Sequence, residues 1–428
     1  MNSLLKGHMS KDKKRVVVTG MGLVSCFGTD VETFHQNLIQ GNSGVRNIES
    51  FDVSEWPTRF AAPVAPYEPG HYLDKKQARR VDPFIAYAAI AGKKALESAG
   101  FDLADLSSIQ KERAGIVIGS GMGGMKYFED GLDTIRNKGF KRLTPFFIPY
   151  IITNMAGALL GIDLGFTGPN YSISTACATA NYSILHAANH IRSGEADLMI
   201  CGGTEASINV SGVAGFVAIK ALSERNDEPQ RASRPWDRAR DGFVMGEGCG
   251  VLVLESLEHA LKRGAPIIAE YLGGAVNTDA YHMTDPRPDG SGVRDCVEIA
   301  LKDSGISKDK INLINAHATS TPVGDLCEIR GLKEVFSSHA NNIYICSTKS
   351  MIGHCLGAAA GLEAIATLKA IQTGMCHPTI NCDDPEEELK AFQFSTTHAV
   401  KKNITAALSN SFGFGGHNSC LIFAPYQS

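Results

Sequence analysis

Apolar positions along the chain fall into short β-branched runs that end in glycine, alternating with alanine-rich stretches of helical spacing. Arg15-Val16-Val17-Val18-Thr19-Gly20-Met21-Gly22 predicts a buried strand leading into a loop. Residues 86–100 carry a helical pattern stopped by Gly100. Ala114-Gly115-Ile116-Val117-Ile118 predicts the next strand, which runs into Gly119-Ser120-Gly121-Met122-Gly123-Gly124. A helix beyond Cys177 is expected to end near Gly194, before the strand Asp197-Leu198-Met199-Ile200-Cys201. A glycine-rich loop over 233–250 then precedes a strand at Val251-Leu252-Val253-Leu254-Glu255 and a helical segment at 258–262. Residues 146–162 are the most apolar region. Pro149, Asn154 and Gly157 interrupt them and the stretch is short for a membrane span, so it is expected to be buried or at a subunit interface.

Beyond Pro266 the same pattern recurs. Ala95-Leu96-Glu97-Ser98-Ala99-Gly100 is similar to Ala300-Leu301-Lys302-Asp303-Ser304-Gly305, each shortly before a strand. Ser174-Thr175 before the first alanine-rich helix matches Ser347-Thr348 before a second, over 357–371. Leu198 to Gly203 has its counterpart in the strand that runs from Ala406 into the glycines before His417. Alternating strands and helices imply parallel strands with right-handed crossovers. Two similar α/β halves are expected, 15–265 and 266–425, sharing one core because no Pro-, Ser- or charge-rich linker divides them; residues 1–14 are set aside as an extension or tag.

Composition narrows the function. Hydrophobic residues make up 43% and charged residues 20%, which is the balance of a folded globular protein. A net charge of -4 and a pI near 6.4 argue against nucleic acid as the main ligand. Eleven cysteines, spread singly with no zinc spacing, favour reduced thiols in a cytosol-like compartment.

Cys177 is the first candidate for chemistry. If Thr175 caps the helix that follows, the sulfur lies in the first turn, where the macrodipole favours a thiolate; a buried inert cysteine would look the same. The stretch 119–124 is formally G-x-G-x-x-G, but the acidic strand about 20 residues on that a dinucleotide site needs is missing, so a tight turn or channel wall competes with nucleotide binding. His317 follows a strand at the end where open α/β sheets place ligands, and His354 precedes the second alanine-rich helix. Either alone reads equally as a structural histidine. The glycines at 413, 415 and 416 permit backbone N–H groups to face a ligand, as an oxyanion hole requires, or form a hairpin turn.

Taken together, Thr175-Ala176-Cys177, Asn315-Ala316-His317-Ala318-Thr319-Ser320-Thr321, Lys349-Ser350-Met351-Ile352-Gly353-His354 and Gly413-Phe414-Gly415-Gly416 resemble the four motifs of the β-ketoacyl-acyl carrier protein synthases, type I/II, most closely the elongating type II enzymes. The resemblance covers residues 15–425 and implies a thiolase-like α/β fold of two duplicated halves in a five-layered αβαβα core. It also implies decarboxylative condensation of acyl and malonyl thioesters carried on acyl carrier protein. In that reading Cys177 takes the acyl group, and its N–H with that of Phe414, also a gate, stabilises the oxyanion. His317 and His354 bind the malonyl carbonyl, Lys349 supports them and Glu363 pairs with Lys349. Thr319 and Thr321 hold the pantetheine arm, and Met122 and Phe216 line the acyl pocket.

Softer implications complete the picture. Lys75, Lys76, Arg79, Arg80, Lys141, Arg142 and Lys220 are candidates for docking acidic carrier protein, with solvated surface charge an equal reading of each. The family sometimes holds a structural monovalent cation near Asn315, Ser320, Glu363, Ser409 and Asn410; no cofactor and no metal are otherwise expected. A homodimer without nucleic acid or membrane attachment is implied. A type III synthase would pair one His with Asn, and a thiolase would need a second cysteine where Phe414 and His417 stand. His417, where many bacterial members have Thr, is as in plastid-type members, so bacterial cytoplasm and plastid stroma both stay open. No convincing transit peptide is read in 1–14. A polyketide-type ketosynthase is the runner-up, and a non-catalytic chain-length partner would lack the nucleophile.

Overall fold

A computed structural model describes residues 13–427; all but the last two residues of the extension expected at 1–14 lie outside the described residues. Ten strands form one hydrogen-bonded sheet system, numbered here in chain order: β1 (Val16–Val24), β2 (Ala114–Gly119), β3 (Asn170–Tyr171), β4 (Leu198–Glu205), β5 (Gly248–Ser256), β6 (Ala269–Thr278), β7 (Ile311–Asn315), β8 (Tyr344–Cys346), β9 (Ala406–Gly413) and β10 (His417–Ala424). Their spatial order is β8-β7-β9-β10-β6-β1-β5-β4-β2-β3. Each half therefore runs third, second, fourth, fifth, first, and within the sheet the halves join through antiparallel pairing of Val16, Val17 and Val18 with Tyr271, Glu270 and Ala269. This is the expected duplication.

Within each half the pairing is mixed rather than wholly parallel. β2 pairs parallel with β3 and β4, and β7 with β8 and β9, but β5 and β10 run antiparallel to both their neighbours. The reason is local in the second half: the tight glycine turn between β9 and β10 leaves no room for the crossover that parallel strands require.

Helices Pro83–Ser98 and Met155–Leu164 cover the outer face of the first half, and Ser291–Ser304 and Pro322–Phe336 that of the second. Between the halves lie Thr179–Arg192 and Ala359–Thr373, each packed on strands of both and on one another, which gives five layers. The middle layer packs closely because small residues face each other. A Cβ on Gly250 of β5 would lie 2.3 Å from the backbone of Gly361. Helix Pro83–Ser98 begins three residues earlier than its apolar period suggests, since Asp82 caps it and Pro83 takes the first position, where no N–H is needed. The second central helix starts at Ala359 rather than 357 and ends at Gly374, whose φ of +70° closes it.

The apolar stretch 146–162 splits into Phe147–Ile151 and Met155–Leu164. It is not wholly buried. Phe146, Ile148 and Ile162 are 53%, 59% and 75% exposed, while Phe146 stacks on Tyr150 and Phe147 on Phe128. No helix among the described residues is long and apolar enough to cross a membrane.

Candidate active site

The two central helices begin alike. Ala176 and Leu356, each three residues before its helix, both have φ of +48°, a left-handed conformation unfavourable for a side chain. The register of the repeat is thus Ala176 with Leu356 and Cys177 with Gly357; the Ser174-Thr175 to Ser347-Thr348 match fails because Lys349–Ile352 and His354 intervene in the second half. Cys177 sits on this sharp turn, not in the first turn of the helix. The helix is Thr179–Arg192, its N-cap is Ala178, and Thr175 makes no capping bond; instead its N–H donates to the Thr179 hydroxyl at 2.9 Å.

Cys177 thus lies directly before the N-cap rather than inside the helix. Burial pushes the Cys177 thiol up to about 12, although the charge of Lys349 works in the other direction. A resting thiol follows. Its neighbour is His354, whose Nε2 lies 2.9 Å from Sγ. His354 comes from the turn after Lys349–Ile352, where its ring packs edge-on against Phe243 and His317.

His317 leaves the end of β7. Its N–H and that of Ala318 donate to the buried carboxyl of Glu328 at 2.9 and 2.8 Å, and Asn410 Nδ2 donates to the same group at 3.0 Å. Those bonds fix the backbone of the motif. The Nδ1 of His317 lies 3.3 Å from Lys349 Nζ. A charged ammonium has no lone pair, so Nδ1 accepts and the ring proton stays on Nε2. Lys349 is itself 1% exposed and ion-paired with buried Glu363, as expected.

Both imidazoles are held uncharged, first by burial and then by the charge of Lys349, which depress them well below the usual histidine value. In the unfolded chain each protonates near ~6.5. As the pH falls below that value the unfolded chain takes up protons that the native state refuses, so stability is full above it and is lost on acidification. Catalysis should behave differently. The rate of malonyl decarboxylation is expected to lack an acid limb between about pH 6 and 8, because the neutral donors persist there. A pH–rate profile with a limb centred on the ordinary histidine value would contradict the geometry.

A cavity of about 800 Å³ collects Cys177, His317, His354 and Phe414 with the hydroxyls of Thr319 and Thr321, which lie 3.0 Å apart. Met122 and Phe216, both from the first half, line it too. Gly413 brings the glycine loop against the nucleophile: a Cβ there would lie 2.5 Å from Thr175 O and 3.1 Å from Cys177 N. Gly415 and Asp279 tie this loop to residues 279–283 through backbone bonds of 2.8 Å to Met283 and Gly416. His417 lies past the turn, edge-on to Tyr182.

Other expected groups are more scattered. Lys75, Lys76, Arg79 and Arg80 sit on and just after the short helix Lys75–Ala78, Lys141 and Arg142 on the turn Phe140–Arg142, all exposed; of the seven basic residues only Lys220 lines the cavity. Among the cation candidates, Asn315 donates to Glu363 O, while buried Ser409 Oγ and Glu363 Oε2 have no partner. Ser320 does not join them by any hydrogen bond. Its hydroxyl accepts from Arg234 N and its N–H donates to Asp325, which holds it at φ +72°.

Four supporting residues escaped the sequence. Ser411 Oγ donates to Cys177 O at 2.8 Å. Asp325 and Glu328 are buried on helix Pro322–Phe336, and their i, i+3 spacing just after the Thr321 loop was the available signal. Glu205 ends β4 fully buried, where burial pushes it up to about 7 against four hydrogen-bond donors.

Two like α/β halves that meet on a buried cysteine, two neutral histidines and a lysine define a thiolase-like condensing enzyme, an acyltransferase. The chain belongs to the β-ketoacyl synthase family: the model for the beta-ketoacyl synthase N-terminal domain matches residues 13–260 and that for the C-terminal domain residues 268–383. It is 60% identical to the chloroplastic 3-oxoacyl-[acyl-carrier-protein] synthase I of Arabidopsis thaliana, over 97% of this chain and 87% of that one. It is 47% identical to 3-oxoacyl-[acyl-carrier-protein] synthase 2 of Vibrio cholerae, over 96% and 99%. Among solved structures, a type II polyketide ketosynthase in complex with its acyl carrier protein superposes with a TM-score of 0.89 at 32% identity, covering 97% of this chain and all of that one.

Proposed function

We propose that the protein elongates acyl chains in type II fatty acid synthesis, condensing acyl-acyl carrier protein with malonyl-acyl carrier protein to give 3-oxoacyl-acyl carrier protein, CO₂ and free carrier protein. The observation that carries this is the contact of Cys177 Sγ with His354 Nε2 in the cavity that His317 also lines. Identity of 43–60% to 3-oxoacyl-[acyl-carrier-protein] synthases, against 32% to a type II polyketide ketosynthase, favours this over the polyketide reading.

In the first half-reaction Sγ attacks the acyl thioester carbonyl while the thiol proton passes to His354 Nε2. The N–H groups of Cys177 and Phe414 stabilise the oxyanion. Collapse expels the pantetheine thiolate, which takes the proton back from His354. This gives His354 a part in loading as well as in the malonyl step. Once Cys177 is acylated, exchange through the solvent of the cavity moves the ring proton of His354 from Nδ1 to Nε2, and in the second half-reaction Nε2–H of His317 and of His354 donate to the malonyl thioester carbonyl. The bond to the carboxylate breaks, CO₂ leaves, and its electron pair is held as an enolate; that carbon attacks the acyl carbonyl on Cys177. The sulfur departs as thiolate and takes one proton from solvent.

Thr319 and Thr321 would hold the pantetheine arm, Phe414 would gate the two substrates, and the basic residues from Lys75 to Arg80, with Lys141, Arg142 and Lys220, would guide the acidic carrier protein. The orphaned Ser409 Oγ and Glu363 Oε2 suit a monovalent cation with Asn315 and Asn410, without Ser320. A homodimer is supported by the open edge at Asn170–Tyr171 and the exposed apolar residues of 146–162. Eleven free cysteines suit a reducing compartment, bacterial cytoplasm or plastid stroma. The two halves, 15–265 and 266–425, act as one unit because the site draws on both.

The test is incubation with acyl-acyl carrier protein followed by peptide mass mapping, and then addition of malonyl-acyl carrier protein. An acyl adduct on Cys177 that is converted to 3-oxoacyl product is expected. An enzyme that turns over with Cys177 unmodified would falsify the scheme.

A further inference from the structure

The glycine motif at 119–124 follows strand β2 as a phosphate cradle would, but the anion in it belongs to the protein. Glu205 Oε1 accepts from Ser120 Oγ at 3.0 Å and Met122 N at 3.1 Å; Oε2 accepts from Gly121 N at 2.9 Å and Gly357 N at 3.0 Å. Ser120 is fixed as a donor because its own oxygen takes Gly123 N at 2.9 Å. Each carboxylate oxygen is thus fully used, and the nucleotide reading of the motif is closed.

Three of these donors come from the first half and one from the second. Gly357 is the counterpart of Cys177 in the repeat, on the turn that follows Leu356. A Cβ at Gly357 would lie 2.6 Å from both Glu205 Oε2 and Gly121 N, so the two backbones touch and the carboxylate is what joins them. Met122 and Leu356, on either side of this junction, line the cavity beside Cys177. His317, Lys349 and the Thr319 and Thr321 hydroxyls have no bond to Glu205.

We propose that Glu205 is a positioning residue for acyl loading: by clamping the Gly121-Met122 turn to the Leu356-Gly357 turn it sets the wall against which the acyl chain lies, and so which chain lengths Cys177 accepts. This rests on the reading of Cys177 as the acyl acceptor. Glu205→Gln replaces one oxygen by an NH₂ that faces two donors, which pushes the turns apart without a change of size. Ser120→Ala removes a single donor and is the gentler variant.

Both variants are compared with the unchanged enzyme in two assays: acylation of Cys177 by carrier protein bearing short, medium or long saturated chains, and decarboxylation of malonyl-acyl carrier protein by the unacylated enzyme. Displacements well under 1 Å at a reacting site cost about tenfold or more in rate. Glu205→Gln is accordingly expected to change the ratio of long- to short-chain acylation about tenfold, and Ser120→Ala about threefold in the same direction, with decarboxylation held within about twofold. An unaltered chain-length ratio in Ser120→Ala and in any soluble Glu205→Gln, or loss of acylation and decarboxylation in equal measure, overturns the proposal. Failure of the unchanged enzyme to acylate Cys177 would instead overturn the function on which it rests.

Discussion

Cys177→Ala is expected to lower condensation by at least about 10⁴-fold while leaving the fold intact, since it removes the one thiol that lies against a histidine in the cavity. Cys327 also lines the cavity, but burial pushes its thiol up to about 11, and Cys355 is buried with its sulfur turned to Glu247 O and Ile352 O. Decarboxylation should survive, because the neutral histidines and Lys349 that bind malonyl are unaltered. The two half-reactions are then separated in one variant. Removing the sulfur also takes away the contact at 2.9 Å with His354 Nε2, which leaves that nitrogen free to donate to the malonyl carbonyl. Malonyl decarboxylation equal to or above that of the unchanged enzyme is the expected measurement, and a parallel loss of both activities would show that the thiol itself takes part in losing CO₂.

Lys349→Met should be the most destabilising single change in the site. Lys349 and Glu363 are both buried and bonded to each other, and Glu363 Oε2 has no second partner. Removing the ammonium leaves an uncompensated charge in the core, at a cost of about 3–5 kcal/mol. Adding Glu363→Gln removes that charge, so the double variant is expected to recover most of the stability. Activity should not return with it. His317 Nδ1 would still lack the donor that keeps its proton on Nε2, and decarboxylation should stay down by about 10²-fold or more. Urea midpoints and decarboxylation rates of the two variants check this. A double variant that regains activity would assign Lys349 a purely structural role.

Much of this was legible along the chain. The repeat and the strands ending in glycine were written in residue order, because β-branched runs and helical periodicity are local properties, whereas the nucleophile, the two histidines and the Lys349–Glu363 pair were legible only through the resemblance of the four motifs. The errors share one cause. Cys177 was placed in the first turn of a capped helix, whereas the chain turns at Ala176 through φ +48° and the helix begins at Thr179. A left-handed alanine leaves no mark in the sequence, since the tertiary contacts of the Gly413 loop and Ser411 hold it there. The resemblance groups Ser320 with the cation residues; its hydrogen-bond partners are Arg234 and Asp325.

The G-x-G-x-x-G stretch marks the boundary most clearly. The sequence by itself determined that a glycine turn follows β2 and that the α/β pattern is repeated, and its four motifs, by their resemblance to a known family, implied the class of chemistry. Only the tertiary structure decided what fills that turn, which group touches the sulfur, and how the thiol is held. Glu205 lies 83 residues or more from the serine, glycine and methionine it binds in the first half, and 152 from Gly357. Burial and donor placement over such separations depend on how the halves pack, and they control the protonation of Cys177, His317 and His354 in turn.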